Sequence, residues 1–137
     1  PGTIPAGTVS DTPLPAWDVL PTLAELAGLP PPAGGDGISR AQELRGAVQD
    51  PAHEYLYWDY GHIRGTFSQA VLEGNLKGIR NGPETPLEVY DLSQDPGETQ
   101  NIAGERPADA ARLESLFAAA YVPSADYPIA PASAASP

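Results

Sequence analysis

The sequence predicts an α+β fold: about four antiparallel strands in one sheet, a long C-terminal helix packed on one face, and a helix ahead of the sheet. Three observations predict it. Apolar residues recur at helical spacing near both ends, around Leu20–Ala27 and again over Ala110–Ala120. Between them lie short strand-like runs such as Tyr55-Leu56-Tyr57-Trp58. The later runs are joined by short links rich in Gly, Asn and Pro, which favours antiparallel pairing over the long crossovers that parallel strands need. Helices on one face of an antiparallel sheet form the usual α+β layering.

Each element has its own local reason. Residues 1–11 are rich in Pro, Gly and Thr and read as loop. Asp18 is placed to cap a first helix, Pro21 is tolerable in its first turn, and Gly28 sits where a C′ residue belongs. Leu20, Leu23, Ala24 and Ala27 share one face of it, and Pro30-Pro31-Pro32 forbids continuation. Ser39 with Gln42 fits a capping box for a short helix to about Arg45, stopped by Gly46. After a turn at Asp50-Pro51, Tyr55–Trp58 reads as a strand, broken by residues 61–65. Phe67–Glu73 and Leu76–Arg80 read as a hairpin closed at Gly74-Asn75. Leu87–Leu92 alternates with a period near two, a further strand, and ends at the turn Asp95-Pro96-Gly97. Pro107 opens the last helix, whose stripe is Ala110, Leu113, Leu116, Phe117 and Ala120. From Pro123 the chain is Pro, Ala and Ser, with too little apolar bulk to order by itself.

Composition narrows the function classes. A chain of 137 residues is long enough for one moderate core. Its net charge of −11 disfavours phosphate backbones and anionic membranes as partners. No apolar run approaches the roughly 20 residues that span a bilayer, and no signal-peptide pattern is visible. Cysteine is absent, which excludes disulfides, thiolate metal sites and any cysteine-derived nucleophile within this sequence. Methionine is absent too and the sequence opens at Pro1, so a fragment of a longer protein is expected.

The segment Glu88-Val89-Tyr90-Asp91-Leu92, Asp95-Pro96, Glu98, Asn101 and Ala103 resembles, in order and with the right gaps, a signature of the sulfatase family near its C-terminus: E-L-Y-D-L, then D-P-x-E-x-x-N-L-A. The likeness extends along the chain. Pro1-Gly2-Thr3-Ile4 with Gly7-Thr8-Val9 is similar to P-G-x-I-x-x-G-x-V. Asp18-Val19-Leu20-Pro21-Thr22-Leu23 with Leu26-Ala27-Gly28 is similar to D-x-x-P-T-L-x-x-L-A-G. Asp36-Gly37-Ile38-Ser39 with Leu44-Arg45-Gly46, Tyr57-Trp58-Asp59, and Gln69-Ala70-Val71 with Gly74 and Leu76-Lys77 have family counterparts as well. Leu72 stands where the family usually has Arg, and Leu76 where it usually has Trp.

This resemblance implies the C-terminal part of a sulfuric ester hydrolase in the alkaline-phosphatase-like superfamily. Residues 1–48 would be the end of the catalytic domain, 49–122 a C-terminal subdomain, and 123–137 a tail. It further implies, for the parent catalytic domain, a formylglycine in a C/S-x-P-x-R motif and a Ca²⁺ ion. In that chemistry the hydrated aldehyde attacks sulfur while the metal stabilises charge on the oxygens. No such motif occurs in these 137 residues, so the resemblance assigns no catalytic residue, metal ligand or cofactor to this chain. The implied partners are the upstream catalytic domain and the parent's sulfate-ester substrate, and the bacterial relatives it suggests are often periplasmic or extracellular. A phosphonate or phosphodiester hydrolase parent shares the outer architecture and stays open, as does a stand-alone binding module using the acidic face or the Tyr55–Tyr60 strand.

Other chemistry within the chain has little motif support. Ser68, His62 and Asp59 supply the residue types of a triad without a nucleophile elbow. His53, Glu54, Asp59 and His62 are metal-compatible side chains without a recognisable ligand spacing. The carboxylates of residues 91–98 lack the spacing and central Gly of an EF-hand and suit a solvated turn. The remaining candidate is Gly61-His62-Ile63-Arg64-Gly65, two cation-capable side chains in a loop. Arg offers a planar fork to an anionic sulfate ester, so His62 and Arg64 are candidates for a substrate-facing loop, with an ordinary exposed loop as the alternative.

Overall fold

The computed structural model describes residues 2–47, 53–60 and 67–125. The chain divides into two compact units, Pro1–Glu54 and Tyr55–Pro137.

In the first unit a 3₁₀ turn, Ala16–Asp18, leads into helix α1, Val19–Leu26. Gly28 ends it in the left-handed region (φ 74°), as its C′ placement predicts. Two expectations fail. Asp18 occupies the N-cap but its side chain makes no cap bond; the carboxylate accepts instead from the Ile38 N–H at 2.9 Å. The predicted apolar face also points outward: Leu20 and Leu23 are 62% and 57% exposed while Pro21 and Thr22 are buried. Thr22 is inward because its hydroxyl donates to the Asp18 carbonyl (2.6 Å) and accepts from the Arg40 N–H (2.9 Å), tying α1 to the next element. That element is helix α2, Ala41–Leu44. Arg40 rather than Ser39 is its N-cap, so the Ser39 hydroxyl, which accepts from the Ala41 N–H at 3.2 Å, sits one residue before the position the predicted capping box requires. Gln42 does not complete it, because its amide donates to Glu25 Oε1 at 2.7 Å. Gly37 permits the turn between the helices: a Cβ there would lie 2.1 Å from the Trp17 carbonyl oxygen.

The second unit is one four-stranded antiparallel sheet in the order β1 (Leu56–Asp59), β2 (Gln69–Glu73), β3 (Leu76–Arg80), β4 (Glu88–Asp91), followed by helix α3, Pro107–Ala120. This is the predicted architecture, with strand ends shifted by one or two residues. Gly74, at φ 58°, turns the β2–β3 hairpin. Register aligns Tyr57, Val71, Gly78 and Val89 in one cross-strand row. Strand side chains alternate between faces, and α3 lays its predicted stripe on this row's face. Leu113 and Phe117 are buried against Val71, Leu76 and Val89, with Ala110 and Leu116 packed beside them. Burying side chains of this size contributes about 1.5–3 kcal/mol each. Gly78 lets the helix approach: a Cβ there would meet Phe117 and Val71 side-chain carbons at 3.2 Å. The outer edge of β4 is occupied by the following chain, with Val89 donating to Asn101 Oδ1 (3.0 Å) and accepting from the Ile102 N–H (2.9 Å). Among the described residues no helix is long and apolar enough to cross a membrane.

Candidate functional site

His62 and Arg64, the substrate-loop candidates, lie outside the described residues, as does the tail from residue 126. The strands on either side of 61–66 are described: the Tyr60 N–H donates to the Ser68 carbonyl at 2.8 Å. Beside it, on the α3 face, is a polar cluster. Gln69, only 4% exposed, donates through Nε2 to the Tyr57 hydroxyl (2.9 Å), which in turn donates to Asp59 Oδ2 (3.3 Å). Burial, then the Asp59 charge, pushes the Tyr57 phenol well above its ordinary value. Arg80 lies over the Phe117 ring, 5.2 Å from its centroid, and pairs with Glu114. Gln69, Arg80, Glu114, Phe117, Ala118 and Tyr121 surround a small cavity of about 170 Å³. The phenol is thus held as a neutral hydrogen-bonding group, which suits binding and structure better than proton transfer.

The acidic turn after β4 spends its carboxylates on its own backbone. Asp95 accepts from the Thr99 and Gln100 N–H groups at 2.7 and 2.8 Å. The Gln100 bond is the main reason its carboxyl sits below the usual range. Asp91 accepts from the Ser93 hydroxyl at 2.6 Å, which lowers it likewise. Glu98, held at φ 55°, meets Lys77 Nζ at 2.6 Å. Among the described residues no three His, Asp or Glu side chains are grouped to hold a metal.

In the first unit, His53 Nε2 lies 2.8 Å from Asp18 Oδ1, and the Asp18 side chain is wholly buried. His53 therefore faces a carboxylate on α1's entry turn. Arg40 is 4% exposed and pairs through Nη2 with Glu43 Oε2 at 2.9 Å. Hydrogen bonds from the Ser10 and then the Thr12 side chain hold the Glu43 carboxyl low. The sequence reading missed both pairs. Arg40 and Glu43 carry the i,i+3 spacing that announces a helical ion pair; Asp18 and His53 are 35 residues apart with no local signal.

No protein-family model matches the chain. Comparison with solved structures places its fold within sulfatases and related hydrolases. A 2-O GAG sulfatase shares 30% identity and a TM-score of 0.67 over 75% of this chain and 23% of its own. A phosphonate monoester hydrolase from Silicibacter pomeroyi, 20% identical, superposes with a TM-score of 0.71 over 85% of this chain and 26% of its own, a likeness of fold alone. In sequence, the chain is 38% identical over 93 residues to a Delta 4,5-hexuronate-2-O-sulfatase of Bacteroides thetaiotaomicron, covering 65% of this chain and 19% of that protein. The chain is thus similar to sulfatases in sequence and in fold, and it spans about a fifth of the length of the curated relatives it matches.

Proposed function

We infer that this chain is the C-terminal part of a sulfatase-like sulfuric ester hydrolase, that it carries none of the catalytic residues, and that it packs on the catalytic domain and shapes one wall of the substrate cleft. One observation carries this reading: the match to a hexuronate sulfatase covers 65% of this chain but only 19% of the relative. A Cys- or Ser-x-Pro-x-Arg motif is meanwhile absent from all 137 residues. The formylglycine and Ca²⁺ belong to the catalytic domain on this reading. Within the described residues the nearest approach to a cleft wall is the Tyr57–Asp59–Gln69–Arg80 cluster, whose strands lead into residues 61–66 and so to His62 and Arg64. Periplasmic or extracellular placement fits the sulfatase reading.

A second reading, a phosphonate or phosphodiester hydrolase parent, is favoured by the superposition on the phosphonate monoester hydrolase. The coding region upstream of Pro1 separates the two. A C/S-x-P-x-R motif there, with faster turnover of an aryl sulfate than of a phenyl phosphonate by the longer polypeptide, is the expected result. The reverse preference, or an unmodified Thr nucleophile, would move the assignment to the second reading.

A further inference from the structure

We propose that the surface around Arg40, in the Pro1–Glu54 unit, seats a segment of the longer polypeptide that places an apolar side chain in the Arg40 cavity and a main-chain carbonyl on the guanidinium. The inference rests on the reading of the chain as one part of a longer sulfatase. A cavity of about 400 Å³ is lined by the apolar Val9, Leu14 and Leu44 and by the polar Ser10, Arg40 and Glu43, among others. The apolar wall faces outward: Val9 is 89% and Leu14 54% exposed. Arg40 is the opposite, 4% exposed, and its Nη1 is a buried donor without a hydrogen-bond partner. Buried donors are almost always paired, so an orphan beside a cavity marks a missing acceptor.

The chemistry of that acceptor follows from Glu43. Its carboxylate already pairs with Arg40 Nη2 and is fixed by the Ser10 hydroxyl. The local charge is balanced, so a neutral acceptor suits Nη1 better than a second anion. A polypeptide segment answers both needs, supplying carbonyl and apolar side chain together. The relatives supply the source, since about four-fifths of their length lies outside the match. The exposed Leu20 and Leu23 of α1 add apolar surface to the same unit.

The sequence contains no cysteine, so a Val9→Cys substitution introduces a single thiol at the cavity wall. Its maleimide-labelling rate is compared in this chain alone and in the longer polypeptide, read by mass spectrometry of the residue-9 peptide. Labelling at least about tenfold slower in the longer polypeptide is expected, the mark of a closed seat. Adding Arg40→Met, which keeps the stem and removes the donors, should speed labelling severalfold there and leave the isolated chain unchanged. Equal rates in the two forms overturn the proposal, as does protection in the isolated chain that grows with its concentration, which would mean a second copy fills the seat. If Arg40→Met does not fold, the Val9→Cys comparison decides alone. A longer polypeptide that cleaves aryl sulfates but labels as fast as the isolated chain defeats this inference only. One without sulfatase activity defeats the functional reading as well.

Discussion

At the residue scale, most of the chain's carboxylates that stand out are structural. Asp95 replaces a helix cap with a loop cap, accepting two backbone N–H groups and the Thr99 hydroxyl within a turn. Asp91, Glu25 and Glu43 are likewise held below their ordinary values, each first by a serine hydroxyl. A carboxyl whose pKa is lower in the folded state stabilises the fold fully above its unfolded pKa, and that stability is lost as pH falls through the folded value. The melting temperature should therefore hold steady above about pH 5.5 and fall below about pH 4; a flat profile from pH 6 to 3 would contradict these assignments. The phenols have the opposite sign. Tyr57 and Tyr90 are both raised, chiefly by burial, so their contribution is present below the ordinary phenol range and fades as pH climbs past it. Asp95→Ala should lower the melting temperature and speed amide exchange at Thr99 and Gln100 before any other site. The acidic turn was readable in the sequence as Asp-Pro-Gly turn chemistry. What the sequence could not show was which carboxylate each backbone group would find.

At the element scale, the sheet and α3 were legible and α1 was not, for one physical reason. In the second unit the buried core residues lie in sequence runs with clear periods, so alternation in Val89 or Val71 and helical spacing in Leu113 and Phe117 point to the same core. In α1 the buried positions are Pro21 and Thr22, chosen by hydrogen bonds to Asp18 and Arg40, while the leucines at helical spacing are exposed. Periodicity reports apolar faces, and an apolar face is buried only if a partner is at hand. Two substitutions test the helix–sheet contact. Leu113→Ala, at a wholly buried position, should cost about 2–5 kcal/mol in denaturant unfolding. Gly78→Val forces side-chain carbons into the 3.2 Å contacts with Phe117 and Val71 and should cost about 1–3 kcal/mol. An effect under half a kcal/mol at either would mean that α3 does not rest on the sheet as described.

At the scale of the whole molecule, the chain is a sequence similar to sulfatases with a compact sheet-and-helix unit, a second compact unit, and no C/S-x-P-x-R motif anywhere in its 137 residues. The likeness to sulfatases was legible because the strand-turn signature around Glu88–Ala103 carries many matched positions in order. The candidate site was legible only as residue types: His62 and Arg64 fall outside the described residues, and the Gln69–Tyr57–Asp59 network depends on strand register that no local pattern announces. The most direct measurement is aryl sulfate hydrolysis, in the presence of calcium, by this chain alone and by the same chain joined to the polypeptide encoded upstream of it. The account predicts turnover at enzyme rates only in the joined form and none above the uncatalysed background in the isolated chain. Enzyme-level turnover by the isolated chain would contradict it.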